Sequence, residues 1–542
     1  MAEIPFENLG MGGIIRDTEG HTLAPEYWTG GENVRFKDNK IFKFLGSEEV
    51  FPTWDLSGGG GPNEIPLWLM PWREVTSSYW LLGTDKNILR ANASTVLEVT
   101  RTASDYTTNV NKIWSGGIIG GLPVMNNDVG DDPQGWDSGT TKFVDLVNWP
   151  ANYSCRIMRV FKQYLVALDI TASGTRQPHT IKWSSAALPG SYPSYWDNAD
   201  TNDSNESHLT EGGGFILDSQ AMGEVNMVYK EELTYGMEFI GGQYVFRIYK
   251  LPFSTGIYAP RCAKEFFGKH FVVTRGDVIT HNGHEAQSII DGKNRNYLFD
   301  NMAIGKERKT FVVPNYAENE MWICFVSNSV DGTYADEALV YNWTKKTWGH
   351  RVLGQVNSLG GVPHIGYGLL DKSAVSQFIE DQTQFIEDDT SMIDAVTDAS
   401  GKLRLVGAME STANSKIIEL DISNAEQGTA TTSYIERTDI AIVGQDRQGN
   451  PKVDPTSTKL VRRVYPKLEG TAAINIYVGS QKKLGGSVTY SGPYSFDPTT
   501  DNHVDCRVQG KAIAIKFEST TAMEWSGTGF ILDLDVIGES FR

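Results

Sequence analysis

Paired cysteines are missing from this sequence. Its four, Cys155, Cys262, Cys324 and Cys506, are scattered over 542 residues with no C-x-x-C pair. That pattern excludes a disulfide-stapled secreted domain and a cysteine-built zinc site. Cys155, Cys262 and Cys324 sit in or beside apolar runs and read as buried thiols. No apolar stretch reaches the roughly 20 residues of a membrane helix, and the opening MAEIPFENLGMGG lacks the basic-then-apolar pattern of a signal peptide. Neither a membrane span nor export is expected. Positive charge is short as well: 48 Lys and Arg face 67 Asp and Glu, a formal charge of −19. Such a chain does not grip nucleic acid by neutralising phosphates, although an acidic wall would let a duplex slide past. Solubility is the plainer reading of the charge.

Catalytic signatures are absent too. No G-x-S-x-G, H-E-x-x-H, G-x-x-x-x-G-K-[ST] or strand-linked G-x-G-x-x-G occurs. Gly58-Gly59-Gly60-Gly61 runs into Pro62-Asn63-Glu64 with no Lys to reach a phosphate, and His281 and His284 flank Asn282-Gly283, a hairpin turn. Two acidic loops, Asp128-Val129-Gly130-Asp131-Asp132 and Asp200-Thr201-Asn202-Asp203-Ser204-Asn205-Glu206, offer oxygen ligands of the kind Ca²⁺ takes but lack the EF-hand spacing. They read as solvated turns. Carboxylate pairs for glycoside hydrolysis would come from separate strands, and so many acids make a chance pair inevitable. The reading is therefore of a protein that is not an enzyme, with no catalytic residue, cofactor or metal assigned.

What the chain does have is glycine, 55 residues of it, and 11% aromatics falling mostly in short β-like runs. Asn33–Phe36 and Ile41–Phe44 alternate around Asp38-Asn39, a hairpin signal. Closely spaced strands follow at 66–100, 156–184 and, most regularly, 215–351, split by turns such as Gly241-Gly242 and Arg275-Gly276. Helix is plausible only at Asp291–Ala303 and in parts of 370–395. Within 338–351, ALVYNWTKKTWGHR, Tyr341, Trp343 and Trp348 flank a polar turn, the aromatic arrangement that locks a hairpin's register. These residues, with Trp80, Trp183 and Trp322, are expected to be packing residues. After about residue 425 strict apolar/polar alternation sets in, clearest at Asn475–Val478 and Ala512–Phe517.

The fold class that results is all-β: a β-propeller body with a separate C-terminal antiparallel β-sandwich or barrel domain. Residues 1–46 form an N-terminal arm and hairpin, 47–424 the propeller, with long loop insertions at about 101–150, 187–214 and 365–400, and 425–542 the C-terminal domain. Inside the last insertion, Gln377–Thr383 is repeated as Gln384–Thr390. Its carboxylates, Glu380, Asp381, Glu387, Asp388 and Asp389, mark a candidate lumen-facing or subunit-contact loop, or simply a solvated one.

Taken in order, several segments resemble the tail nozzle proteins of short-tailed bacteriophages, a family that includes tail tubular protein B and the packaged-DNA stabilisation proteins. They are Glu32-Asn33-Val34-Arg35-Phe36 before a Lys-rich strand ending at Gly46; Ile181-Lys182-Trp183-Ser184 with Pro189 and Trp196; Thr234-Tyr235-Gly236-Met237 leading to Val245-Phe246-Arg247-Ile248; Gly268–Thr274 leading to Gly276-Asp277-Val278; the Tyr341–Trp348 hairpin; and a β-rich end closing on Gly538-Glu539-Ser540-Phe541-Arg542. The resemblance implies a structural virion protein of the phage tail, assembled in the host cytoplasm as a homo-oligomer, a hexameric ring below portal and adaptor. Double-stranded DNA would pass through its lumen without sequence-specific binding, and tail fibre or needle proteins would attach below. From another class, a propeller glycosidase or lectin acting on a host surface polysaccharide fits the same strand pattern.

Overall fold

The computed structural model describes residues 2–51, 64–74, 77–92, 95–102, 105–107, 111–128, 130–199, 201–242, 244–253, 255–329, 332–354, 361–370, 402–410, 415–445 and 451–537. It is an all-β protein built largely from four-stranded antiparallel sheets, consistent with propeller-like blades. Consecutive meanders make the first five: Pro66–Glu74 to Val96–Glu98, Trp114–Ile119 to Lys142–Asp145, Tyr153–Phe161 to Asn205–His208, Ile216–Met222 to Phe246–Lys250, and Ala263–Phe266 to Ala286–Ser288. A sixth meander, Phe311–Asn315 to Thr347–Val352, opens a larger ten-stranded sheet. The last contains His364–Leu370, Lys402–Met409 and Lys416–Ser423, and its outer strand is Gly46–Val50, supplied from the other end of the chain.

The first strands of neighbouring meanders lie side by side from Pro66–Glu74 round to His364–Leu370, which returns to pack against Pro66–Glu74. The ring therefore closes. Trp114 and Trp80 wedge between adjacent sheets with their ring N–H satisfied. Trp114 Nε1 donates to the Thr84 carbonyl at 2.7 Å and Trp80 Nε1 to that of Leu369 at 2.9 Å. Gly83 is glycine because a Cβ there would meet the Trp114 ring at 2.7 Å.

Residues 101–150, expected as long loops, instead hold a complete sheet: Trp114–Ile119, Leu122–Asn127, Gln134–Asp137 and Lys142–Asp145. The strands are rich in Gly and Asn, so local alternation is weak. Burial of Trp114, Met125, Trp136 and Phe143 in a core shared with Trp72 and Leu81 of the preceding sheet holds them. The insertion at 187–214 likewise contains Asn205–His208, the outer strand of the third sheet. His364–Leu370 is an inner strand, and the rest of the 365–400 insertion lies outside the described residues. The short helix Arg295–Asn301 falls within Asp291–Ala303, and no described helix is long and apolar enough to cross a membrane.

Beyond the ring, two sheets face each other. One contains Gly30–Glu32, Ser433–Ile440, Ala512–Ser519, Ile474–Gln481 and Thr489–Phe496; the other centres on Trp525–Ile537, paired with Thr458–Gly470 and Ala2–Phe6. Their inner residues share one apolar core in which Phe6 stacks on Phe530 with centroids 4.5 Å apart. This unit does not stand apart from the ring. The hairpin Val34–Lys37/Lys40–Lys43 pairs on one side with Thr347–Val352 of the sixth meander and on the other with Trp525–Ile537. Its turn residues Asp38 and Asn39 adopt φ of 51° and 60°, as a tight two-residue hairpin needs. The N-terminal residues are thus distributed among the sheets and do not project as an arm.

Candidate functional site

In the Tyr341–Trp348 hairpin, Tyr341 lies directly opposite Trp348 with ring centroids 4.8 Å apart. Asn342 Oδ1 accepts from the Thr344 and Lys345 backbone N–H groups at 3.1 and 2.9 Å, which shapes the turn. Trp348 is 1% exposed, and Trp80, Trp183 and Trp322 are likewise buried. Trp343 is half-buried and packs against Phe266, Phe267 and Tyr316 at 5.7 to 6.0 Å. The acidic candidates Glu380, Asp381, Glu387, Asp388 and Asp389 lie outside the described residues.

The seam between ring and facing sheets carries a buried ionic cluster. Arg35 of the splicing hairpin reaches Asp421 at 2.6 Å and Glu320 at 3.1 Å, and Arg351 approaches Asp421 at 3.8 Å and Glu426 at 3.7 Å. Both guanidinium groups also lie over the Phe44 ring. Trp322 Nε1 donates to Glu320 Oε2 at 3.0 Å. Burial pushes the Glu320 carboxyl up to about 7 even with Arg35 beside it. Four segments remote in sequence meet here, none marked by a motif.

Between the fourth and fifth sheets lies a buried chain of His281, Tyr229 and His270. His270 Nε2 is 2.9 Å from the Ala221 carbonyl, so it carries the proton and donates. Its Nδ1 then accepts from the Tyr229 hydroxyl at 2.6 Å, and that oxygen accepts from His281 Nε2 at 2.7 Å. His281 Nδ1 accepts from the Gly283 N–H at 3.3 Å. Every donor meets an acceptor only if both rings are neutral. Burial holds His270 down to about 4, and burial with neighbouring His270 holds His281 down to about 3. The Asn282-Gly283 stretch is a turn, with His281 turned into the core.

The first strands of the ring surround a central, partly open cavity of about 380 Å³. Arg159, Asp218, Arg261, Lys264 and His364 line it, each group of them on a different sheet or linker. Asp218 is saturated: Arg159 Nε and Nη2 donate to its two oxygens at 2.8 and 3.0 Å, and the Ser219 and Arg261 backbone N–H groups donate at 2.8 Å each. Arg261 has φ of 67°, an unusual conformation for a non-glycine residue, pinned by that bond and by the Val312 N–H donating to its carbonyl at 2.9 Å. Burial and the nearby Arg159 push the Arg261 guanidinium down to about 10 and the Lys264 ammonium down to about 8. His364 Nδ1 accepts from the Leu69 N–H at 3.2 Å. None of these residues was singled out from sequence. The available signal was charge inside the largely apolar opening strands, as at Arg156 and Arg159 within Cys155–Phe161 and Asp218 within Ile216–Met222.

The Asp128 loop is tied down by cations: Asp128 pairs with Arg308 at 2.9 Å and Arg156 at 3.5 Å, and Asp131 with Arg101 at 2.8 Å. Among the described residues no group of three or more His, Cys, Asp or Glu is placed to hold a metal. All four cysteines are buried and free.

No protein-family model matches the chain, and no curated protein matches it. Solved structures that resemble it include the extracellular domain of the putative one-component system BT4673 from B. thetaiotaomicron, at 11% identity and a TM-score of 0.40, covering 89% of this chain and 58% of that one. A functionally unknown protein from Desulfotomaculum acetoxidans gives 11% identity and 0.33, covering 59% of this chain and 92% of that one. The AfRom2 CNH domain gives 8% and 0.35, covering 70% and 99%. Likenesses this distant assign neither family nor function.

Proposed function

We propose that the chain is the protomer of a ring-shaped tail nozzle of a short-tailed bacteriophage: a β-propeller body fused to a C-terminal β-sandwich, repeated about six times around a DNA-exit channel below portal and adaptor. In the virion it helps retain the packaged genome, lets it out at infection and carries tail fibre or needle proteins. The observation that carries this reading is the joint. Two of the segments behind the family resemblance lie far apart in sequence yet meet in one sheet, through Val34–Phe36 and the Tyr341–Trp348 hairpin: Val34 pairs with His350, and the Val352 N–H donates to Asn33 Oδ1 at 2.8 Å across 319 positions. That sheet runs unbroken from propeller into sandwich. The Arg35–Asp421–Arg351 cluster braces it. A part through which DNA moves under pressure needs its two bodies to act as one. The formal charge of −19 suits a conduit that does not hold DNA.

Mass measurement of the purified chain under native conditions, with negative-stain microscopy, tests this. A ring of about six copies with no response to glycans is the expected result. A stable monomer that binds or cleaves a surface polysaccharide would overturn it in favour of a propeller lectin or glycosidase.

A further inference from the structure

We propose that the central cavity of the ring binds a phosphate-class oxyanion, held by Arg261 together with Lys264 and Arg159. The charge balance of the cavity points to it. Three cationic side chains line the space, and among its lining residues Asp218 alone is a carboxylate. Asp218 is already bonded by the Arg159 fork and two backbone N–H groups, so it neutralises Arg159 and, although its charge still acts on Arg261, has no free lone pair for the Arg261 guanidinium. Arg261 is only 8% exposed, yet its Nε and Nη1 meet no acceptor. A buried guanidinium with no acceptor for its N–H groups is strongly unfavourable. An anion in the adjoining cavity removes that penalty.

The chemistry narrows the anion. With Arg159 cancelled by Asp218, Arg261 and Lys264 leave two positive charges, which matches a phosphate of roughly −1.5 to −2 near neutral pH. A guanidinium presents parallel N–H groups that fit two oxygens of a tetrahedral oxyanion, while an ammonium such as that of Lys264 serves as a point charge. The positive φ of Arg261 fixes where its side chain starts, and the Asp218 carboxylate holds it there through the backbone. The site is thus built from the ring itself and stands independently of what the assembled protein does.

Calorimetric titration of the full chain with inorganic phosphate, in chloride at constant ionic strength, tests the proposal. Saturable binding is expected, with Arg261→Met weakening it by roughly tenfold or more and the exposed Arg247→Met leaving it unchanged. If circular dichroism shows Arg261→Met to be unfolded, Lys264→Gln is read in its place, with a several-fold loss expected. Parallel titrations with a phosphomonoester and with succinate separate the sources. Binding of phosphate alone means a free anion, and binding of phosphate and ester means a phosphate-bearing ligand; both support the site. No saturable phosphate binding, undiminished binding by the folded variant, or succinate binding as tightly as phosphate would each overturn it.

Discussion

Acid should loosen the protein between its fourth and fifth sheets, and the size of the effect follows from the His281–Tyr229–His270 chain. Both rings must be neutral for each donor there to find an acceptor. In the unfolded chain they take up protons near the ordinary 6.5, whereas the folded protein holds them off until about 4 for His270 and about 3 for His281. Stability from this pair is therefore full above pH 7, falls as the pH drops below 6.5, and stops falling only once the folded-state rings titrate. At pH 5 each ring is roughly 1.5 pH units below its unfolded midpoint, so each costs about 2 kcal/mol and the pair about 4 kcal/mol relative to pH 8. The local readout is amide hydrogen exchange of peptides from residues 263–288, corrected for the intrinsic pH dependence of exchange. His281→Gln should remove about half of the acid-induced loss of protection. Parallel pH profiles for wild type and variant, or a wild type equally protected at pH 5 and pH 8, would refute the argument.

Other perturbations discriminate as sharply. Trp348→Ala empties a fully buried site and should lower stability in urea titration by about 3–5 kcal/mol, whereas half-buried Trp343 should cost nearer 1–2 kcal/mol; equal losses would contradict the packing described. Glu320 keeps its proton up to about 7, so its contribution is full below pH 4.5 and is lost as the pH rises through 7, by about 3 kcal/mol. Glu320→Gln stays neutral and can still accept from Trp322, so its stability advantage over wild type should widen from pH 5 to pH 8. Arg35→Met leaves buried Asp421 with only the more distant Arg351 and Glu320 without its paired cation, and should destabilise the joint by about 3 kcal/mol, seen as faster proteolysis at the seam between the ring and the facing sheets.

Strands were legible where their own alternation carried the signal. The splicing hairpin with its Asp38-Asn39 turn, strands such as Val225–Lys230, Lys269–Thr274, Asp277–His281 and Glu320–Phe325, and the C-terminal strands Ile474–Gln481 and Ala512–Ser519 fall where the apolar periodicity puts them. Strands held by their neighbours were not. Leu122–Asn127 ends in two asparagines that are buried only because the adjoining sheet covers them: Asn126 Nδ2 donates to the Cys155 carbonyl of the third sheet at 3.0 Å. Gly46–Val50, sequence GSEEV, has no apolar pattern and is a strand because Lys416–Ser423 offers it an edge. The same reason hid the cavity. Arg159, Asp218 and Lys264 come from separate sheets, and only closure of the ring brings them to one place.

The strand Gly46–Val50 also sets a timetable for biosynthesis. It pairs with Lys416–Ser423, while Gly30–Glu32 pairs with Ser433–Ile440 and Ala2–Phe6 with Trp525–Ile537. A ribosome releases each of these strands long before its partner. For most of translation they are exposed edges with β-forming sequence and nothing to join, the condition under which nascent chains pair with the wrong neighbour. Completion of the ring must wait for the long closure that brings Lys416–Ser423 back to Gly46–Val50. The protein's weakest moment is therefore not in its finished state but in the interval before these strands meet their partners.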